Sequence, residues 1–458
     1  MQYLLLLLVA VLFLVALWRP AMTIVVIVVM FPLETLLQAS FPFFDANSWA
    51  FNLAVLGLTV LTIVRRWLAK EPIGRMMLTA PAVLAWAFYV WCYLSATWSV
   101  KENALLGLTV SALPYHLLFL VLAPLLIHRL DEIDVLGRGV LYVGLVVTLL
   151  MVANPQFSMD AERFGVSFEG GGRSNPLQIG TLGGTVMLIA ALTSLQRGSV
   201  PWIAFRSFAV VLGAGLTLLS GSRGQMLAAV LVIFALFPVS FQLKSLRGWA
   251  AAAAATVVVG IGMYVASSGF VSAENEERWS FESLTQGGFG RLDNVTDLME
   301  AWASRPERWM QGLGVNAFAE LNTRSGDPYS HVLIADVFGE AGLIGGGIFL
   351  AMAWATWRSS RRLFDLVRDD PWKRIQFAVL ASFICYQFLL ANKQGSMLGS
   401  TLLFTFVVIL GRLERQEAEE RMLMEWEESL DEEDVSDEEM AGVEPMGGPG
   451  GGRLVGAS

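Results

Sequence analysis

DPYSHVLIADVFGEAGLIGGG, residues 327–347, is where a polar segment ends and a hydrophobic span begins. It carries His331, one of only three histidines in 458 residues. Upstream lies the long polar stretch at about 269–331, and downstream the chain stays largely apolar to about residue 357. A water-exposed loop that returns to a bilayer here fixes the reading of its surroundings. Any chemistry at the membrane surface is expected to centre on it.

Working outward, hydrophobic residues make up 55% of the chain and charged residues 16%, with mean hydropathy +0.58. A soluble domain carries about 25% charged residues. The apolar residues fall in long runs rather than in alternation, so the sequence reads as an all-α integral membrane protein. Runs suited to helices lie at roughly 3–18, 21–38, 49–64, 76–95, 104–127, 136–153, 178–195, 203–219, 224–241, 249–268, 333–357, 375–391 and 398–411. A hydrocarbon core of about 30 Å needs about 20 residues per helix, so about 12–13 transmembrane helices are expected. The expected organisation is a polytopic membrane domain over 1–411, with an extracytoplasmic loop containing short helices inserted at 269–331. An acidic, largely disordered cytoplasmic tail follows at 412–458, with disorder setting in beyond about 430. The N-terminal MQYLLLLLVAVLFLVALWRP lacks a basic leader and a small-residue cleavage site, and reads as a retained helix.

The formal net charge of −9 belongs to the tail, where 15 acidic and 4 basic residues follow from Arg412 onward. The rest holds 25 acidic and 27 basic residues, so the acidity says nothing about a substrate. Basic residues gather in alternate loops: Arg65, Arg66, Lys70, Arg129, Arg138, Arg206, Lys244, Arg247 and the group from Arg358 to Arg374. Cytoplasmic loops retain positive charge, which puts the 269–331 segment outside the cytoplasm. The short loops on that outer side hold Lys101, Arg163, Arg173, Arg223 and Lys393. Cys92 and Cys385 both sit in apolar runs and read as small core residues, with no metal-ligand spacing.

Three residues stand out. Arg223 breaks the positive-inside pattern and sits in a Ser-Gly-Ser-Arg-Gly turn whose small residues admit close approach of another group. An interfacial arginine reaching for headgroups is the plain alternative. Arg291 follows Gly290 and is expected to begin a helix bearing Leu292, Val295, Leu298, Met299 and Trp302 at helical spacing. A cation at that positive dipole end favours a facing anion, and arginine matches phosphate oxygens bidentately. The competing view is that Asp293 compensates the dipole and pairs with Arg291. His331 is the only histidine on the outer side, and imidazole suits proton transfer near neutral pH. A satisfied interfacial histidine is its ordinary fate. The outer loops offer no His/Asp/Glu cluster with ligand spacing, no phosphate-binding glycine loop and no nucleophile elbow, so neither metal nor cofactor is expected.

Three segments in this order, SGSRGQ at 220–225, GRLDNVTDLMEAW running on to GLGVNAF at about 290–318, and YSHVLIADVFGEAGLIGG at 329–346, resemble the O-antigen ligase and polymerase superfamily of bacterial envelopes. The resemblance covers roughly residues 200–411; the N-terminal third matches only as generic apolar helices. It implies a metal-independent, inverting glycosyltransferase in the inner membrane, facing the periplasm. Its donor would be a glycan on undecaprenyl pyrophosphate, and its acceptor lipid A core or a second lipid-linked glycan. Membrane lipids would surround it, and no nucleic acid is involved. Carried over by position, Arg223 and Arg291 would hold the pyrophosphate and His331 would face the acceptor hydroxyl. Arg163 and Arg173 would be auxiliary phosphate or sugar contacts. Many relatives carry Asn after this histidine, where Val332 stands here. A transporter or flippase of lipid-linked glycans and a protein O-oligosaccharyltransferase are the alternatives.

Overall fold

A computed structural model of the chain describes residues 2–74, 76–160, 163–168, 174–193, 200–241, 281–321, 329–394 and 396–441. The expected span at 249–268 and Arg173 lie outside the described residues. The protein is an all-α integral membrane protein. Among the described residues its strands are Ser158–Asp160 (β1) and Arg163–Gly165 (β2), an antiparallel pair with Met159 opposite Phe164.

The N-terminal helices show how proline cuts apolar runs. Helix α1 (Gln2–Trp18) ends before Arg19, and Pro20 opens α2 (Pro20–Val28), where its missing N–H costs nothing. The single run expected at 21–38 is a broken one, because α3 (Met30–Ser40) bends 65° from α2. Then follow α4 (Pro42–Ala46), α5 (Trp49–Leu68) and α6 (Ala80–Ser95). Ala104–Leu126 is continuous but irregular: α7 (Ala104–Gly107) and α8 (Leu113–His116) alternate with π-helical turns at Leu108–Ala112 and Leu117–Leu122. Pro114 cannot donate to the preceding turn, which is a standard cause of such a bulge.

The centre is built by α9 (Glu132–Ala153), α10 (Pro176–Leu192), α11 (Val200–Leu219) and α12 (Arg223–Phe241). Gly183 and Gly213 let α10 and α11 touch backbone to backbone; a Cβ on Gly183 would lie 2.4 Å from the Gly213 carbonyl oxygen. Small residues are what draws helices together where lipid removes any hydrophobic advantage. After α13 (Phe281–Ala303) and α14 (Phe318–Leu321) come α15 (Leu333–Val367), α16 (Pro371–Gln394) and α17 (Thr401–Ala441). Among the described residues seven helices are long and apolar enough to cross a membrane, or eight with α2 and α3 as one span. The shorter apolar helices are α1, α6 and α10.

The two ends of the bundle differ in how they use charge. At one end, Arg206 donates to the Ala190 and Ala191 carbonyls, and Arg374 to those of Val239 and Arg368. Buried Arg412 donates to Pro124, Ile127 and Ile73, and buried Arg66 to Leu126 and Glu71. These guanidinium groups supply donors to carbonyls that helix ends leave open. His128 belongs here too, against Arg66 and Glu132.

The charged segment from Arg412 onward continues α17 to Ala441, tied by Lys373 to Glu417 at 2.7 Å. Its first residues pack as core, so Arg412 and Leu413 are buried. Cys92 is buried, but Cys385 is exposed on the outward side of α16. The 269–331 segment holds the 23-residue α13, which includes the helix expected to bear Leu292 to Trp302.

Candidate functional site

The break in α15 organises the site. Gly342 has φ 69° and ψ −168°, a region open in practice only to glycine, and it interrupts the helix between Ala341 and Leu343. Backbone groups freed there find new partners, as a buried break requires. Leu313 and Gly314 donate to the Gly339 and Glu340 carbonyls at 3.0 and 2.9 Å, and the Trp91 indole donates to Ala341 at 2.8 Å. Leu343 and Ile344 donate to Trp309 and Met310. Gly312, at φ 78°, lies so close that a Cβ there would sit 2.1 Å from the Glu340 carbonyl oxygen. The 309–314 loop thus completes the helix it interrupts.

Two acids on α15 then hold the segments on either side. Buried Glu340 accepts the backbone N–H groups of Asn316 and Phe318 at 2.9 and 3.0 Å. Buried Asp336 accepts the Ser330 hydroxyl at 2.5 Å, the Ser330 N–H at 3.3 Å and a backbone hydrogen bond from Met397. Ser330 in turn takes the Val332 N–H at 3.2 Å. Between them His331 is held at φ 67°, a left-handed conformation that costs a non-glycine residue about 1–2 kcal/mol. The imidazole meets the Tyr329 ring edge-to-face at 4.5 Å. One turn on, the Ile334 N–H is capped by Asn392 near the end of α16.

The next residue of α16 is Lys393, and it gathers the predicted cations. Its ammonium lies within electrostatic reach of Arg291, Arg163 and Arg223. It donates to Gln225 at 2.8 Å and to Gln394 at 3.4 Å, while Gln225 and Gln394 also bond each other. Its stem lies over Gly224, where a Cβ would fall 2.4 Å from Lys393 Cε. Gly221 turns at φ 66°, and Ser220 and Ser222 pack against Gly180 of α10. The small residues of SGSRGQ therefore admit Lys393 on one side and α10 on the other.

Arg223 is the first residue of α12 and Arg163 the first of β2; both are half-buried. Arg291 does not begin a helix. It stands well inside α13, so the helix dipole plays no part in its placing. No ion pair joins it to Asp293 among the described residues, and burial holds its guanidinium below the ordinary value for arginine. Leu298, with Val295 and Trp302 beside it, packs α13 onto Gly339 and Ala335 of α15, while Leu292 is exposed. The other histidines have structural partners. His116 bonds Tyr93 and the Leu398 carbonyl in the core.

The sequence reading missed Lys393 as a member of this group, and with it Gln225, Asp336, Glu340 and Gln394. A signal was available for Lys393, since it breaks the positive-inside pattern as Arg223 does. Asp336 and Glu340 were visible as acids at the start of an apolar run, where ionisable residues carry a purpose by default. Among the described residues no group of three or more His, Cys, Asp or Glu is placed to hold a metal ion. No protein-family model matches the chain, and no curated protein matches it.

Proposed function

We propose that the protein is a membrane glycosyltransferase that moves a glycan from undecaprenyl pyrophosphate to an acceptor hydroxyl, of the O-antigen ligase and polymerase type. The observation that carries this reading is the gathering of Arg163, Arg223 and Arg291 about Lys393. Like charges brought together away from bulk water repel, and an anion between them offsets the cost. A pyrophosphate carries negative charge on both of its phosphates and matches guanidinium groups in geometry. The same cations stabilise the charge that develops on a departing pyrophosphate.

In the reaction, His331 accepts the proton of the acceptor hydroxyl. The acceptor oxygen forms its bond to the anomeric carbon as the bond from that carbon to the pyrophosphate oxygen breaks. Undecaprenyl pyrophosphate leaves with both electrons of that bond. Lipid A core, a second lipid-linked glycan and a protein hydroxyl are the acceptor classes, and the reading places the site on the periplasmic side of a bacterial inner membrane. The positive-inside distribution supports that orientation.

One residue speaks for a transporter of the same lipids: Glu34, half-buried on α3 beside the 65° bend. Ionisable groups within broken spans are typical of transporters. Reconstitution of the purified chain with lipid-linked glycan separates the two. Glycan transfer with release of undecaprenyl pyrophosphate is expected; movement across the bilayer with no release would favour the transporter.

A further inference from the structure

A cavity of about 260 Å³ lies beside the cation cluster, between the α2–α3 bend, the start of α10 and the end of α16. It is a little smaller than the ~300 Å³ at which ligand pockets commonly begin, which suits one ring rather than a chain. Among the described residues its lining contains no charged side chain. Gln178, Thr181, Gln387, Gln394 and Ser396 supply amides and hydroxyls, while Val28, Phe31 and Pro32 form an apolar wall. Neither Gln178 nor Gln387 spends its side-chain amide on another described residue. Neutral donors and acceptors around an apolar wall fit a pyranose, with hydroxyls on its rim and C–H groups on its faces.

Position narrows the choice. Gln394 lines the cavity and accepts from Lys393, so one wall is shared with the cations. Tyr329 lines it too and meets the His331 ring. The cavity therefore lies between the group read as holding the pyrophosphate and the group read as facing the acceptor. In that reaction the ring occupying this interval is the one whose anomeric carbon is attacked.

We propose that this cavity binds the sugar ring joined directly to the donor pyrophosphate, with Gln178 and Gln387 as its recognition residues. The assignment rests on the glycosyltransferase reading above. It makes this end of the molecule selective for the first sugar, separately from its grip on the phosphates. Gln178 and Gln387 act on the carbohydrate alone.

The test compares two probes on the full-length protein in nanodiscs: undecaprenyl pyrophosphate, and undecaprenyl pyrophosphate bearing a single N-acetylhexosamine. Wild type should bind the sugar-bearing lipid about tenfold more tightly, the effect of one or two net hydrogen bonds. Gln178→Ala combined with Gln387→Ala should erase that advantage and leave bare undecaprenyl pyrophosphate binding unchanged, which also shows that the variant folds. An undiminished advantage would overturn the subsite. So would a variant that keeps the advantage but loses affinity for a free methyl glycoside, since the cavity would then serve the acceptor. If wild type binds neither lipid, the glycosyltransferase reading itself falls.

Discussion

The molecule places arginines at both ends of its helices and employs them in different ways. At the end bearing Arg66, Arg206, Arg374 and Arg412, guanidinium groups turn inward onto backbone carbonyls, and Glu71 accompanies Arg66. The cavity there, lined by His128, Arg412 and Glu420 among others, measures about 110 Å³. At the end bearing Arg163, Arg223, Arg291 and Lys393, the three arginines lie within electrostatic reach of the lysine, and the neighbouring cavity is about 260 Å³. Residue type alone does not separate structure from function here; the surroundings of each cation do. Cations that donate to backbone carbonyls close helix ends, whereas like charges gathered together favour an anion between them.

Substitutions at the two ends should therefore have opposite signatures. Arg223→Ala and Arg291→Ala are each expected to lower glycan transfer by about 10²–10³-fold, the range for removing one donor aimed at developing charge. Their thermal stability should stay near that of wild type. A transfer rate within a few-fold of wild type for either would remove that residue from the site.

His331 offers a finer test, because its backbone and its ring make separate demands. His331→Asn keeps a side chain that tolerates the left-handed region, so its loss of transfer, about 10²–10⁴-fold, reports the imidazole. His331→Val adds the strain of a β-branched residue at φ 67° and should lower stability as well. Equal stability of the two would show that the Ser330–Asp336 clamp does not impose this conformation.

Arg412→Ala should behave in the reverse manner. It leaves the carbonyls of Pro124, Ile127 and Ile73 without this donor, at about 1–3 kcal/mol of stability, and changes transfer per folded molecule little. Large loss of specific activity in a stable Arg412→Ala protein would erase the distinction between the ends. Chelation of divalent ions is the smallest effect expected, with transfer unchanged because the cations of the chain carry the charge; strong inhibition would contradict that.

How much of this was legible in the sequence follows from the range of each signal. The membrane class was plain, because apolar runs and alternate basic loops are properties of whole segments. Arg223 was visible because it violates that pattern locally. Arg291 was found for a mistaken reason, since Gly290 suggested a helix start where α13 continues. A glycine stretch alone does not stop a helix that packs Leu298 against Gly339. Lys393 was visible as an outer-side cation, but its place beside Arg223 depends on the chain's return, by which the end of α16 is laid across Gly224, 169 positions earlier. The broken helix at Gly342 was equally hidden, because the break falls where the 309–314 loop supplies replacement partners. Contacts between distant segments decide such points, and sequence periodicity does not carry them.

The central claim, that the Lys393 end is built around an anion and the Arg412 end is not, is tested most directly by thermal shift with undecaprenyl pyrophosphate. A ligand bound only by the folded state raises the transition temperature by mass action. Wild type and Arg412→Ala should both gain stability from the lipid, the latter from a lower starting point, while Arg223→Ala and Arg291→Ala should gain little. An equal gain in all four proteins, or none in wild type, would contradict the account.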